Sequence, residues 1–147
     1  MRKLLLCLTV LLLLSVAAYA QRGLSCRSVF EGKVVPGRQM VVTEVRGGNL
    51  TPYKLDHYRG VSFQVGADLA LQVERLVDAD ARAAGSAETE RAGGFLTYAL
   101  FQPGSSGKNH RYVCYQARPV GQEWKITLLY LEGPATLEEL RAMFEKQ

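Results

Sequence analysis

His57, His110, Cys26 and Cys114 are the residues beyond the apolar N-terminus whose side chains most readily do covalent or metal chemistry. A nucleophile activated by a histidine base needs Cys114 or a serine within hydrogen-bond reach of His57 or His110. Cys114 lies in the middle of the apolar stretch RYVCYQA, whereas reactive thiols favour partly exposed, electropositive places such as helix N-termini. There it reads as a small buried hydrophobe, and a hydrolase-like enzyme using His57 or His110 is the alternative rather than the first reading. A metal would draw on the same four residues. His110 and Cys114 share a strand face but stand about 13 Å apart at strand rise, too far for one zinc with bonds of about 2 Å. His57 and His110 meet only if their strands are neighbours, and no CxxC, HxH or HExxH spacing is present. No catalytic, cofactor-binding or metal-ligating residue is assigned, and no cofactor is expected.

Other patterns fail on geometry. PGSSGKNH, residues 103–110, has a glutamine where the first glycine of a phosphate loop belongs, and Asn109 where that loop needs Ser or Thr. It also joins two strands instead of opening a helix, so it reads as a hairpin loop. Asp78 and Asp80 project about 200° apart on their helix and Glu138 and Glu139 about 100° apart, so neither pair converges for acid–base work. Cys26 and Cys114 can form one disulfide in an oxidising compartment. Closing that long loop would contribute about 4 to 5 kcal/mol, provided the Cα atoms come within about 7 Å.

The elements that would position these residues follow from hydrophobic period. LSCRSVFEGKVV suggests a short helix packed by Phe30, and QMVVTEVRGG a strand ended by Gly47 and Gly48. YKLDHYRGVSFQV puts Tyr53, Leu55, Val61, Phe63 and Val65 on one face, with a bulge or bend expected at Gly60. From Asp68 the period becomes helical, with Leu69, Val73, Leu76, Val77 and Ala84 on one side, and Gly85 ends the run. SAETERAGG reads as a solvated linker. FLTYALFQ, RYVCYQAR and EWKITLLYLE then form an antiparallel meander. GPATLEELRAMFEK closes the chain with Thr136 as N-cap, Glu139 completing a capping box, and Leu137, Leu140 and Phe144 as an apolar stripe. The expected fold is α+β in the order αββαβββα, mostly antiparallel, with helices mainly on one face of the sheet. In the last strand Trp124, Ile126, Leu128 and Tyr130 form a uniformly apolar face. The alternating set is mixed, so a second, less covered face is expected to carry any binding function.

The chain has 147 residues, 18 basic and 14 acidic, for a net charge of +4. Arg2 and Lys3, the apolar run from Leu4 to Leu14, and small residues at Ala18 and Ala20 have the three-part plan of a secretory signal peptide. The cut is expected between Ala20 and Gln21, leaving 21–147 as a single α+β domain and removing two positive charges. Leu4 to Ala20 falls short of the roughly 20 apolar residues that span a bilayer, so no stable membrane span is expected after cleavage. The remaining cations are scattered singly, without the basic stripe of a nucleic-acid binder.

Mature glutamine, the Phe-bearing helix, PYKLDHYRGVSF, GGFLTYALFQ, HRYVCYQ and ITLLYLEGPATLEELRAMF together resemble a family of small exported proteins of unknown function from Bacteroidota. The resemblance implies a bacterial source, an exported α+β domain in the periplasm or outside the cell, and no carried-over catalytic residue. With that origin the sequon at Asn49 to Thr51 reads as a turn helped by Pro52. The functional expectation is a non-enzymatic binding or interaction module of the cell envelope. Its partner would be a protein, a small ligand or a second copy in a homodimer.

Overall fold

The computed structural model describes residues 23–106 and 109–145; the expected export segment, with its cut at Ala20 and Gln21, lies outside them. Among these residues three α-helices, α1 (Arg27–Phe30), α2 (Ala67–Ala84) and α3 (Leu137–Glu145), accompany six strands. The strands are β1 (Met40–Arg46), β2 (His57–Val65), β3 (Glu88–Ala92), β4 (Phe95–Ser106), β5 (Asn109–Val120) and β6 (Glu123–Gly133). They form one sheet in the order β1-β2-β6-β5-β4-β3, and every neighbouring pair is antiparallel. The α+β class and the β4-β5-β6 meander agree with the sequence reading.

The order αββαβββα needs one correction: the expected linker SAETERAGG contains β3. All five residues of β3 are exposed, so the segment carries no apolar alternation, and its structure comes from the β4 ladder alone. Gly93 and Gly94, both at positive φ, make the tight turn that returns the chain into β4, a conformation glycine adopts without steric cost. The long hairpin loop expected at residues 103–110 is also shorter, because β4 and β5 pair up to Ser106↔Asn109 after a register shift between Phe101 and Gly104. Gly60 is no bulge, since both ladders pass it in regular register.

One helix is set apart from the other two. Strand neighbours point to opposite faces, and here the two faces carry different helices. On the first face, Val61, Phe63 and Val65 of β2, Ile126, Leu128 and Tyr130 of β6, and Val113, Tyr115 and Ala117 of β5 pack with Val73 and Val77 of α2 and with Val29 and Phe30 of α1. On the second, Tyr112 and Leu131 pack with Leu140 of α3 and with Leu50 and Leu55 from the turn before β2. Leu55 therefore leaves the face expected for it. Two of the three helices share the first face, and α3 covers the second because β5 and β6 are apolar on both parities at one end and each set needs a cover.

Two buried carboxylates tie the first layer together. Asp80 accepts from the backbone N–H of Ser25 (2.7 Å) and of Cys26 (2.8 Å), seating α1 against α2. Glu74 accepts from Leu96 N–H at 2.7 Å, fastening α2 to β4. The second layer rests on a backbone crossing. Asp56 N–H donates to Glu132 O (2.8 Å), Ala135 N–H donates to Lys54 O (2.9 Å), and the Tyr112 hydroxyl donates to Ala135 O (2.7 Å). Thr136 Oγ1 accepts from Glu139 N–H at 3.3 Å, so the expected cap of α3 is present.

A side chain at Gly133 would place its Cβ 2.6 Å from Leu55 Cα and 2.8 Å from Lys54 O. Gly133→Ala is expected to cost about 3 kcal/mol, the upper end for overpacking, because backbone rather than a flexible side chain must give way. Gly48→Ala, with open space around it, should stay within about 0.5 kcal/mol of the parent. Urea denaturation of the two variants measures the difference.

Candidate functional site

The four chemistry-bearing residues of the sequence do not converge. Cys26 and Cys114 are free and buried. Cys26 belongs to the first-face core, while Cys114 alternates with Val113 and Tyr115 of that core and so points to the opposite face. The disulfide expected as one reading is thus not formed, and the sheet lies between the two thiols. Burial and the neighbouring Asp80 carboxylate push the Cys26 thiol up; burial pushes Cys114 up to about 11. Neither is disposed to act as a thiolate nucleophile near neutrality.

The histidines are separated by β6, since His57 pairs with Glu132 and His110 with Gly133 on its other side. His57 Nε2 lies 3.2 Å from Glu44 Oε1, and its ring stands edge-on to Tyr130 at 5.7 Å. His110 Nδ1 lies 3.1 Å from the Gln102 amide nitrogen. The partner of each is thus a carboxylate or an amide, where a nucleophile's base would face a hydroxyl or thiol. Among the described residues no three His, Cys, Asp or Glu side chains gather as metal ligands, and no helix is long and apolar enough to cross a membrane.

Register assembles two polar regions that linear reading does not. The first is a corner of the first face where β1, β2, β6 and β5 end. One row across the strands is Arg46, His57, Glu132 and Arg111; the next is Glu44, Arg59 and Tyr130. The Tyr130 hydroxyl donates to Glu132 (2.7 Å) and accepts from Arg111 Nε (3.0 Å). Burial above all, and the bond to Glu132, push its phenol up to about 12 against the opposing pull of Arg111. Burial would raise the Glu44 carboxyl, but hydrogen bonds from Arg46 and His57 and the charge of Arg59 outweigh it and hold the group below its usual range.

The second region is the part of the second face that α3 leaves open. There a groove of about 600 Å³ is lined by Glu90, Thr97, Tyr98, Gln116, Arg118, Lys125 and Thr127. Arg118 and Lys125 are directly opposite on β5 and β6, and both are exposed. Like charges at opposed ladder positions are destabilising, and no carboxylate among the described residues forms an ion pair with either. The only sequence signal for either region is parity. Arg111 shares the face of Val113, and Glu132 shares that of Tyr130. The mixed set Lys125, Thr127, Leu129 and Leu131 marks the open face.

The raised phenol sets a pH dependence. A tyrosine whose folded pKa exceeds its unfolded value of about 10 contributes stability that is complete below pH 10 and is lost as pH rises toward 12. The unfolding free energy from urea titration is therefore expected to fall above pH 10, by up to about 1.4 kcal/mol per unit of pH from Tyr130 alone. Tyr130→Phe should flatten part of that fall.

Residues 13–144 match the model described as Family of unknown function (DUF6108). No curated protein and no solved structure matches the chain.

Proposed function

The chain belongs to this family of unknown function, so its role has to be argued from its own surfaces, and we propose an exported, non-enzymatic binding module of a bacterial cell envelope. Export rests on the signal-peptide pattern ending at Ala20, which directs the mature domain to the periplasm or the exterior. Binding rests on one observation: the opposed Arg118 and Lys125 pair in a polar groove of about 600 Å³. That volume lies in the range of ligand sites. Its lining of hydroxyls, an amide and two cations, with one carboxylate at Glu90, suits a hydrogen-bonding acidic partner better than an apolar one. An acidic segment of an envelope protein laid over β5 and β6 would neutralise the repulsion that the unliganded sheet carries.

Intact mass of the protein recovered from its native cells tests export. The expected N-terminus is Gln21, and a retained Leu4 to Ala20 segment would refute processing. The groove is tested with a fluorescein-labelled glutamate-rich octapeptide followed by fluorescence anisotropy. Arg118→Glu should raise stability by about 0.2 to 1 kcal/mol, since it turns a like-charge pair into an opposite one, and it should weaken peptide binding. Arg118→Glu combined with Lys125→Glu should abolish it. Equal binding by parent and double variant, or none by the parent, removes the groove from consideration.

A further inference from the structure

The corner around Tyr130 is built differently from the groove. It lies on the opposite face, and its cations are partly inside the protein. Arg59 donates from Nη2 to Phe30 O at 3.0 Å and stands 3.7 Å from Glu44 through Nη1. Arg111 donates from Nε to the Tyr130 hydroxyl, and its guanidinium lies 5.8 Å from the centre of the Tyr130 ring. Each arginine keeps one nitrogen that is buried yet has no hydrogen-bond partner, Nε of Arg59 and Nη2 of Arg111.

A buried donor without an acceptor costs the full desolvation of that group, more when the group is charged. The carboxylates that could answer are already engaged. Glu44 Oε1 lies 3.2 Å from both Arg46 Nε and His57 Nε2, and Glu132 accepts from Tyr130. Arg59 pairs with Tyr130 on one side of β6, and Arg111 pairs with Glu132 on the other. Two strand spacings and one two-residue step put their Cα atoms on the order of 12 Å apart on the same face, with Tyr130 and Glu132 of β6 between them. Three arginines of the corner, Arg46, Arg59 and Arg111, stand against two glutamates, Glu44 and Glu132. Among the described residues the corner offers these two nitrogens no acceptor.

We propose that this corner binds a small oxyanion, a phosphate or carboxylate group, held between Arg59 Nε and Arg111 Nη2 beside Tyr130. Guanidinium forks match the planar or tetrahedral oxygens of such groups. The charge-assisted bonds would be made in a place already shielded from water. The site is independent of the groove, since the two lie on opposite faces and share no residue.

The test is titration of the purified protein with inorganic phosphate, and separately with succinate, at an ionic strength held constant with sodium chloride. Melting midpoint and the ¹H–¹⁵N resonances of the arginine Nε–H groups are followed together. A saturable rise in midpoint is expected, with the Arg59 Nε–H resonance moving along the same isotherm. Arg59→Met and Arg111→Met should each weaken the apparent affinity about 10- to 100-fold, while Arg75→Met, at an exposed position of α2 outside the corner, should not. Response to phosphate or to succinate alone supports the site and names the oxyanion class. If the methionine variants fail to fold, Arg111→Lys, which keeps the charge and loses the fork, together with the Arg59 Nε–H shift in the parent protein, carries the test. The proposal is overturned if neither anion stabilises beyond sodium chloride. It is also overturned if binding occurs without moving the Arg59 resonance, or if binding is as tight in the arginine variants.

Discussion

At Gly133 the end of β6 meets the chain entering β2 backbone to backbone, with no room for even a methyl group. That contact lets Asp56 and Lys54 bond on either side of it to Glu132 and Ala135. Leu50 and Leu55 are thereby laid over Tyr112 and Leu131, and α3 has an apolar floor on which Leu140 can be buried. The crossing places Lys54 in the left-handed region at φ 55, uncommon for a side chain of its kind. Local backbone conformation is thus traded for a second core.

A strand covered on both faces must be apolar on both parities, and the C-terminal half of β6 is. Tyr130 goes to one core and Leu131 to the other, each almost wholly out of solvent. Toward its N-terminal end the second parity turns polar with Lys125 and Thr127, and there no helix among the described residues covers the sheet. The groove is thus set by where the second cover stops. The Tyr130 corner has the converse origin. On the first face the apolar rows give way to charge at the ends of the strands, but the rows are close enough to α1 for Phe30 to hold Arg59 through its carbonyl.

Local chemistry made much of this legible. Period-2 runs located β1, β2 and the meander, helical period located α2, and the Thr136 cap located the start of α3. β3 was hidden because an exposed edge strand has no buried parity to display, and only Gly93 and Gly94 betray its turn. The side on which α3 docks was hidden for a different reason: an apolar stripe says that a helix is covered, not by which face. Glu74 and Asp80 are charged residues among the buried ones of α2, because the acceptors they offer are needed by backbone N–H groups distant in sequence. His57 was singled out by its residue type, yet its neighbours Glu132, Glu44 and Tyr130 come from strand pairing that periodicity does not specify.

The two free thiols turn the sheet into a partition with a reporter on either side. Cys26 is sealed by α1 and α2, and Cys114 lies beneath the opposite face, so each becomes reachable only when its own layer lifts. A thiol reagent applied to the native chain would therefore time two separate openings. Equal exchange free energies at Cys26 and Cys114 would mean that both layers open as one cooperative unit. Unequal ones would reveal which face loosens first while the sheet persists.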